Sequence, residues 1–128
     1  MVIIRPSIVV AAESEPVPGW TDTLGIFSGL TLASGLGVLR DIPGSPNTFV
    51  DLIPVDFVAR QLLVAVPFAR EESILSDGRK NLIILQSSSS ATNPVTMGRI
   101  TEDIVRYQNN FPYEGRAGKA QITFHTDE

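Results

Sequence analysis

Residues 51–66 run Asp51-Leu52-Ile53-Pro54-Val55-Asp56-Phe57-Val58-Ala59-Arg60-Gln61-Leu62-Leu63-Val64-Ala65-Val66, and their periodicity changes at Pro54. Before it, Thr48 to Ile53 reads as a strand. Proline is tolerated at the first helical position, because that N–H has no intrahelical partner in any case. After it, Val55, Val58, Ala59, Leu62, Leu63 and Val66 recur at i, i+3, i+4, i+7, i+8 and i+11, one apolar stripe on a helix. Asp56 lies in the first turn, where a carboxylate suits the helix dipole, and can pair with Arg60 four residues on. The stretch predicts a strand feeding directly into an amphipathic helix.

Upstream, Val2-Ile3-Ile4-Arg5 reads as a short buried strand ending where Pro6 removes a ladder donor. Residues 11–23, with Glu13, Glu15, Pro16, Pro18 and Gly19, read as a loop. Leu24 to Leu39 is apolar enough for a helix. Gly25, Gly29, Gly35 and Gly37 weaken it, since an interior glycine costs about 1 kcal/mol relative to alanine. Asp41 to Asn47 reads as a turn.

Downstream, Glu71 to Lys80 reads as a polar linker, with Asp77-Gly78-Arg79-Lys80 a solvated turn. Asn81 to Leu85 is an uninterrupted apolar strand, which suggests burial on both faces, as in a parallel sheet. Gln86 to Asn93 is a serine-rich loop. Asn93-Pro94 reads as a helix entry capped by the asparagine. Met97, Ile100, Ile104 and Tyr107 then follow at helical spacing. Gln121 to Phe124 reads as a further short strand. Strands alternating with helices place the chain in the α/β class.

The 128 residues are 43% hydrophobic and 19% charged, which suits one modest domain or part of a larger one. A net charge of −4 argues against nucleic acid or an anionic membrane surface as a partner. The absence of cysteine excludes disulfides, thiolate catalysis and Cys-zinc sites. A single histidine, His125, cannot build a histidine metal cluster, and no metal site is expected. No apolar run approaches the roughly 20 residues needed to span a bilayer. The N-terminal apolar run is broken by Arg5-Pro6, which argues against a signal peptide. These features lead to the expectation of an intracellular chain, cytoplasmic or membrane-peripheral.

Catalytic motifs are wanting. Gly35-Leu36-Gly37 lacks the third glycine of a dinucleotide fingerprint and follows an expected helix, so it reads as packing or turn glycine. A Tyr-x-x-x-Lys acid pair needs a lysine four residues after a tyrosine, yet Tyr107 is followed by Phe111 and Tyr113 by Ala117. His125 and the serines at 87–90 lack the context of a nucleophilic triad. Asp51 and Asp56 could form a paired-carboxylate site. The structural alternative is favoured: Asp56 serves the helix start and Asp51 ties a strand end to a neighbour. Trp20 either anchors its loop or lines an apolar pocket. No catalytic residue is assigned.

Several segments, in order, resemble the fatty acyl-CoA reductases (male-sterility type) of the extended short-chain dehydrogenase/reductase superfamily. They are Arg5-Pro6-Ser7-Ile8-Val9, Glu15 to Trp20 with Asp22, Gly37-Val38-Leu39-Arg40, Asp51 to Asp56, and Ser87 to Pro94. The resemblance implies a partial Rossmann-like fold. Residues 1–110 would be the C-terminal portion of an NAD(P)-binding reductase domain with its substrate lobe, and residues 111–128 a poorly packed tail. It implies NADPH as cofactor, with Pro6, Ser7, Ile8 and Val9 walling the nicotinamide site. It implies a fatty acyl-CoA as substrate, with Trp20, Phe27 and Leu30 facing the acyl chain. The absent fingerprint and Tyr-Lys pair lead to the expectation of a fragment, inactive alone, whose partner is the N-terminal half of the domain. The alternative is a non-catalytic acyl-CoA-binding or regulatory module.

Overall fold

A computed structural model describes residues 1–72 and 82–125. Residues 73–81, which hold most of the expected polar linker and Asn81, lie outside the described residues. The elements in chain order are β1 (Val2–Pro6), β2 (Ile8–Val10), α1 (Ile26–Gly35), β3 (Asp41–Pro43), β4 (Phe49–Val50) and β5 (Leu52–Pro54). There follow α2 (Val55–Glu72), β6 (Ile83–Ser87), β7 (Val95–Thr96), α3 (Met97–Asn110) and β8 (Thr123–His125). They form two compact units. One comprises Met1–Asp22 with Asp51–Thr92, the other Thr23–Val50 with Asn93–Glu128.

In the first unit the extended chain from Val2 to Val10 changes partner at Ser7. β1 pairs parallel with β6, from Val2↔Ile83 to Pro6↔Ser87, and β2 pairs parallel with β5, from Ile8↔Leu52 to Val10↔Pro54. The strand therefore does not stop at Pro6 as expected. The proline N needs no acceptor, and pairing resumes one residue after Ser7. α2 follows β5 directly, as the change of periodicity at Pro54 predicts, and packs on the strands. Its inward face is Val58, Gln61 and Ala65; Ala59, Leu62, Leu63 and Val66 point outward. The apolar stripe is thus only partly buried, because α2 is a single layer beside short strand pairs. β6 behaves the same way. Ile83, Leu85 and Ser87 face inward, while Leu82, Ile84 and Gln86 are exposed, so the expected burial on both faces does not hold.

The second unit packs α1 against α3. Gly35 lies at the contact: a Cβ there would come within 2.6 Å of the Gln108 carboxamide and 2.7 Å of the Tyr113 ring. Gln108 is fully buried and donates through Nε2 to the Thr31 carbonyl at 3.3 Å, which links the two helices. Gly37 has φ +75°, a turn conformation that favours glycine. Gly35 and Gly37 are accordingly packing and turn residues.

Three local expectations are corrected in this unit. The single strand over Thr48–Ile53 divides at Asp51: β4 pairs antiparallel with β7, and β5 belongs to the first unit. Residues 41–43 are strand rather than turn, paired in parallel with β8. The cap of α3 is Thr96, whose side chain accepts the Arg99 N–H at 3.3 Å, and not Asn93. Val95 and Thr96 are drawn into the pairing with β4, so the helix can begin only after them. Part of the stretch expected as a tail is tied into the unit. The Asn109 side chain donates to the Ala120 carbonyl at 2.9 Å and accepts the Ala120 N–H at 3.1 Å; Ala120 is buried, and β8 completes the unit.

Candidate functional site

A dense polar cluster of the first unit forms where the extended chain changes partner. Successive backbone N–H groups go to different segments: Ser7 donates to the Ser87 carbonyl at 2.9 Å and Ile8 to the Asp51 carbonyl at 3.2 Å. Asp51 precedes β5, so its side chain lies beside Ser7. Its Oδ1 accepts from Ser7 Oγ (3.3 Å), Ser89 N (2.9 Å) and Ser90 N (3.2 Å), and its Oδ2 accepts from Ser90 Oγ (2.9 Å). Ser89 Oγ donates to the Leu52 carbonyl. One carboxylate thus joins the 7–8 junction to the loop that follows β6.

The Ser89 N–H is foremost among the groups holding the Asp51 carboxyl below its usual range; partial burial opposes it, and Ser90 and Ser7 add to the lowering. A carboxylate that is ionised and fully engaged with donors is poorly suited to proton transfer. The arrangement supports the tie rather than the acid–base reading.

Asp56 forms a second such centre. It is 5% exposed, and that burial alone would raise its pKa. The N–H groups of Glu13, Ser14 and Glu15 and the Ser14 hydroxyl, at 3.1–3.2 Å, outweigh it and hold the carboxyl well below the usual range. Arg60 adds the expected i, i+4 ion pair at 3.6 Å and donates to Ser14 Oγ at 2.9 Å. Asp56 therefore fastens the 11–20 loop to α2 instead of capping its own helix.

Against this frame the sequence-derived residues separate. Pro6, Ser7, Ile8 and Val9 lie together at the junction. Ile8 and Val9 are 40% and 44% exposed, and Pro6 is exposed. The Ser7 and Ile8 N–H groups are already bonded, so what the wall offers a ligand is apolar side-chain surface. Trp20 belongs to the same unit. Its backbone is built into its loop, with the N–H on the Val17 carbonyl and the carbonyl accepting from Ala12, while the residue stays 40% exposed. Phe27 and Leu30 are half-buried on α1 in the second unit. His125 is exposed and pairs with Asp41 at 2.9 Å, far from the triad role that the sequence already disfavours. The sequence reading did not connect Ser89 and Ser90 to Asp51. The available signal was a run of four hydroxyl side chains, which needed the strand pairing to find its acceptor.

Comparison with known proteins bears directly on this junction. The NAD-binding family model described as male sterility protein matches residues 1–62, which include the wall, Asp51 and Asp56. The chain is 35% identical over 112 residues to human fatty acyl-CoA reductase 1, covering 88% of this chain and 21% of that protein. It is 36% identical over 118 residues to the probable fatty acyl-CoA reductase 5 of Arabidopsis thaliana (92% and 23%) and 35% identical over 124 residues to mouse fatty acyl-CoA reductase 2 (97% and 23%). The chain matches fatty acyl-CoA reductases over most of its own length. It spans about a fifth of the length of these curated relatives. Among solved structures, a UDP-glucose 4-epimerase from Thermotoga maritima, determined with UDP-glucose, is similar at a TM-score of 0.55. The likeness covers 95% of this chain and 35% of the epimerase at 16% identity, and it supports an α/β, Rossmann-like fold.

A nicotinamide cofactor follows from the family. Pro6, Ile8 and Val9 carry exposed apolar side chains, with Ile8 and Val9 on opposite sides of β2, so only part of the set can meet one face of a planar ring. No glycine fingerprint in the sequence is available for a pyrophosphate. The residues present therefore fit the nicotinamide end of a dinucleotide. Among the described residues no group of histidine and carboxylate side chains could hold a metal ion, and no helix is long and apolar enough to cross a membrane.

Proposed function

We propose that this chain supplies the nicotinamide wall and substrate-lobe elements of an NADPH-dependent fatty acyl-CoA reductase, working with a nucleotide-binding half that carries the fingerprint and the proton donor. The activity of such a whole protein is reduction of a fatty acyl thioester to the alcohol through the aldehyde. When bound, the cofactor would supply hydride. This chain's part is to position it: the Pro6–Val9 segment offers apolar side chains at the junction, and Ser7 holds that segment in register through Asp51. Water is kept from that side of the ring because those side chains carry no hydrogen-bonding group. Phe27 and Leu30 are candidate acyl contacts within the second unit, and Trp20 is one within the first.

The observation that carries this reading is the exposed Pro6–Val9 surface at a partner-switching junction of parallel strands, inside the segment matched by the family model. The missing Tyr-x-x-x-Lys pair leads to the expectation of no turnover by the chain alone. The alternative, a binding module without catalysis, would require acyl-CoA affinity in the isolated chain.

Saturation-transfer NMR from the 128-residue chain to NADPH tests the proposal. Transfer should reach the nicotinamide protons and not the adenine protons. Equal transfer to both rings, or transfer to adenine alone, would contradict it.

A further inference from the structure

We propose that Asp51 is a positioning residue for the Pro6–Val9 wall, acting through the Ser7 hydroxyl, while its contacts to Ser89 and Ser90 serve separately to hold the loop after β6. This assignment rests on the nicotinamide reading of the wall. Pro6 has no N–H, and Pro6 and Ile8 pair with different strands, so Ser7 is the pivot between two registers. Ladder bonds fix its backbone on either side, through Ser7 N to Ser87 and Ile8 N to Asp51. The side-chain bond from Ser7 Oγ to Asp51 Oδ1 at 3.3 Å ties the pivot to the residue opposite. The remaining Asp51 contacts all go to residues 89 and 90, beyond the wall. The carboxylate therefore has two duties that can be removed one at a time.

The 128-residue chain and its Asp51→Ala, Ser7→Ala and Ser90→Ala variants test this by amide exchange together with saturation transfer to NADPH. Ser7→Ala should lower transfer to the nicotinamide protons severalfold, because saturation transfer falls steeply with distance. It should leave Ser89 and Ser90 exchange unchanged. Ser90→Ala should do the reverse, speeding exchange at residues 89–90 with transfer intact. Asp51→Ala, which removes both carboxylate oxygens, should show both effects, with the amides of Ile83–Leu85 unmoved.

A merely structural Asp51 would link the two readouts, so a Ser90→Ala chain that loses transfer as fully as Asp51→Ala overturns the proposal. So does transfer that survives Asp51→Ala. Should Asp51→Ala not give a folded spectrum, intact transfer in Ser7→Ala overturns it equally. An absence of nicotinamide transfer in the wild-type chain sinks the cofactor reading itself, and the positioning role with it.

Discussion

The unit formed by Met1–Asp22 and Asp51–Thr92 is pinned by two carboxylates that collect backbone N–H groups, whereas the unit formed by Thr23–Val50 and Asn93–Glu128 is pinned by a glycine set against a buried glutamine. Asp51 and Asp56 bind donors from segments 38 to 44 residues away in sequence. Among the described residues of the second unit the buried polar ones are Ser34, Thr101 and Gln108, none of them ionisable. The difference predicts different weaknesses. A unit closed by charge fails when the charge is removed. A unit closed by close approach fails when volume is added.

The largest effect should follow Asp56→Ala. It leaves the N–H groups of Glu13, Ser14 and Glu15 without their acceptor and removes the partner of Arg60. Amide exchange across 12–20 should accelerate on the order of a hundredfold, because the loop then opens without unfolding the rest. The second unit's amides should not respond. Acid should act in the same direction. Both carboxyls have folded pKa values below the unfolded value of about 3.9, so the unfolded state binds more protons as pH falls. Their contribution is complete above that value and is lost as pH falls through it toward the folded values. A pH titration followed by exchange should therefore loosen the first unit between about pH 5 and pH 2. Equal loosening of both units would break the contrast.

Gly35→Ala should be next in size and confined to the second unit. Its Cβ would meet Gln108 and Tyr113 inside 3 Å, and the glutamine is enclosed and cannot swing to solvent. Overpacking of this kind costs about 1–3 kcal/mol. A chemical melt followed by near-ultraviolet circular dichroism should show a lower midpoint with an unchanged slope. A neutral result would mean that α1 and α3 part easily.

Much of this was legible in the sequence, and the reasons differ by element. Pro54 announced the strand-to-helix change because proline acts locally, and Asp56–Arg60 followed from helical spacing. The glycines at 35 and 37 could be set aside as phosphate binders because their context was wrong. The break at Asp51 was invisible, since both flanking dipeptides favour a strand and only pairing with different strands divides them. Thr96 displaced Asn93 as cap for the same reason: a two-residue bridge to Phe49–Val50 decided where the helix could start. The serine run gave its composition but not its acceptor, which lies 38 and 39 residues back at Asp51. The order of the family segments was readable throughout, because those residues sit where the chain turns or changes partner.

The smallest effect belongs to the outward stripe of α2, and it tests the contrast from the other side. Ala59, Leu62, Leu63 and Val66 have helical spacing yet face outward, and Leu63 is 75% exposed. Apolar side chains already in water contribute little to folding, so Leu63→Ser should change stability by less than about 0.5 kcal/mol. It should also reduce self-association at high concentration, since a contiguous exposed apolar strip favours contact between copies. Ala65, two residues on and on the inward face, is the control. Ala65→Leu inserts volume where the residue is buried and should cost about 1–3 kcal/mol. Sedimentation and a urea melt on the two variants separate the faces. A loss of 2 kcal/mol or more from Leu63→Ser would mean that the stripe is buried in solution and that α2 is covered on both sides.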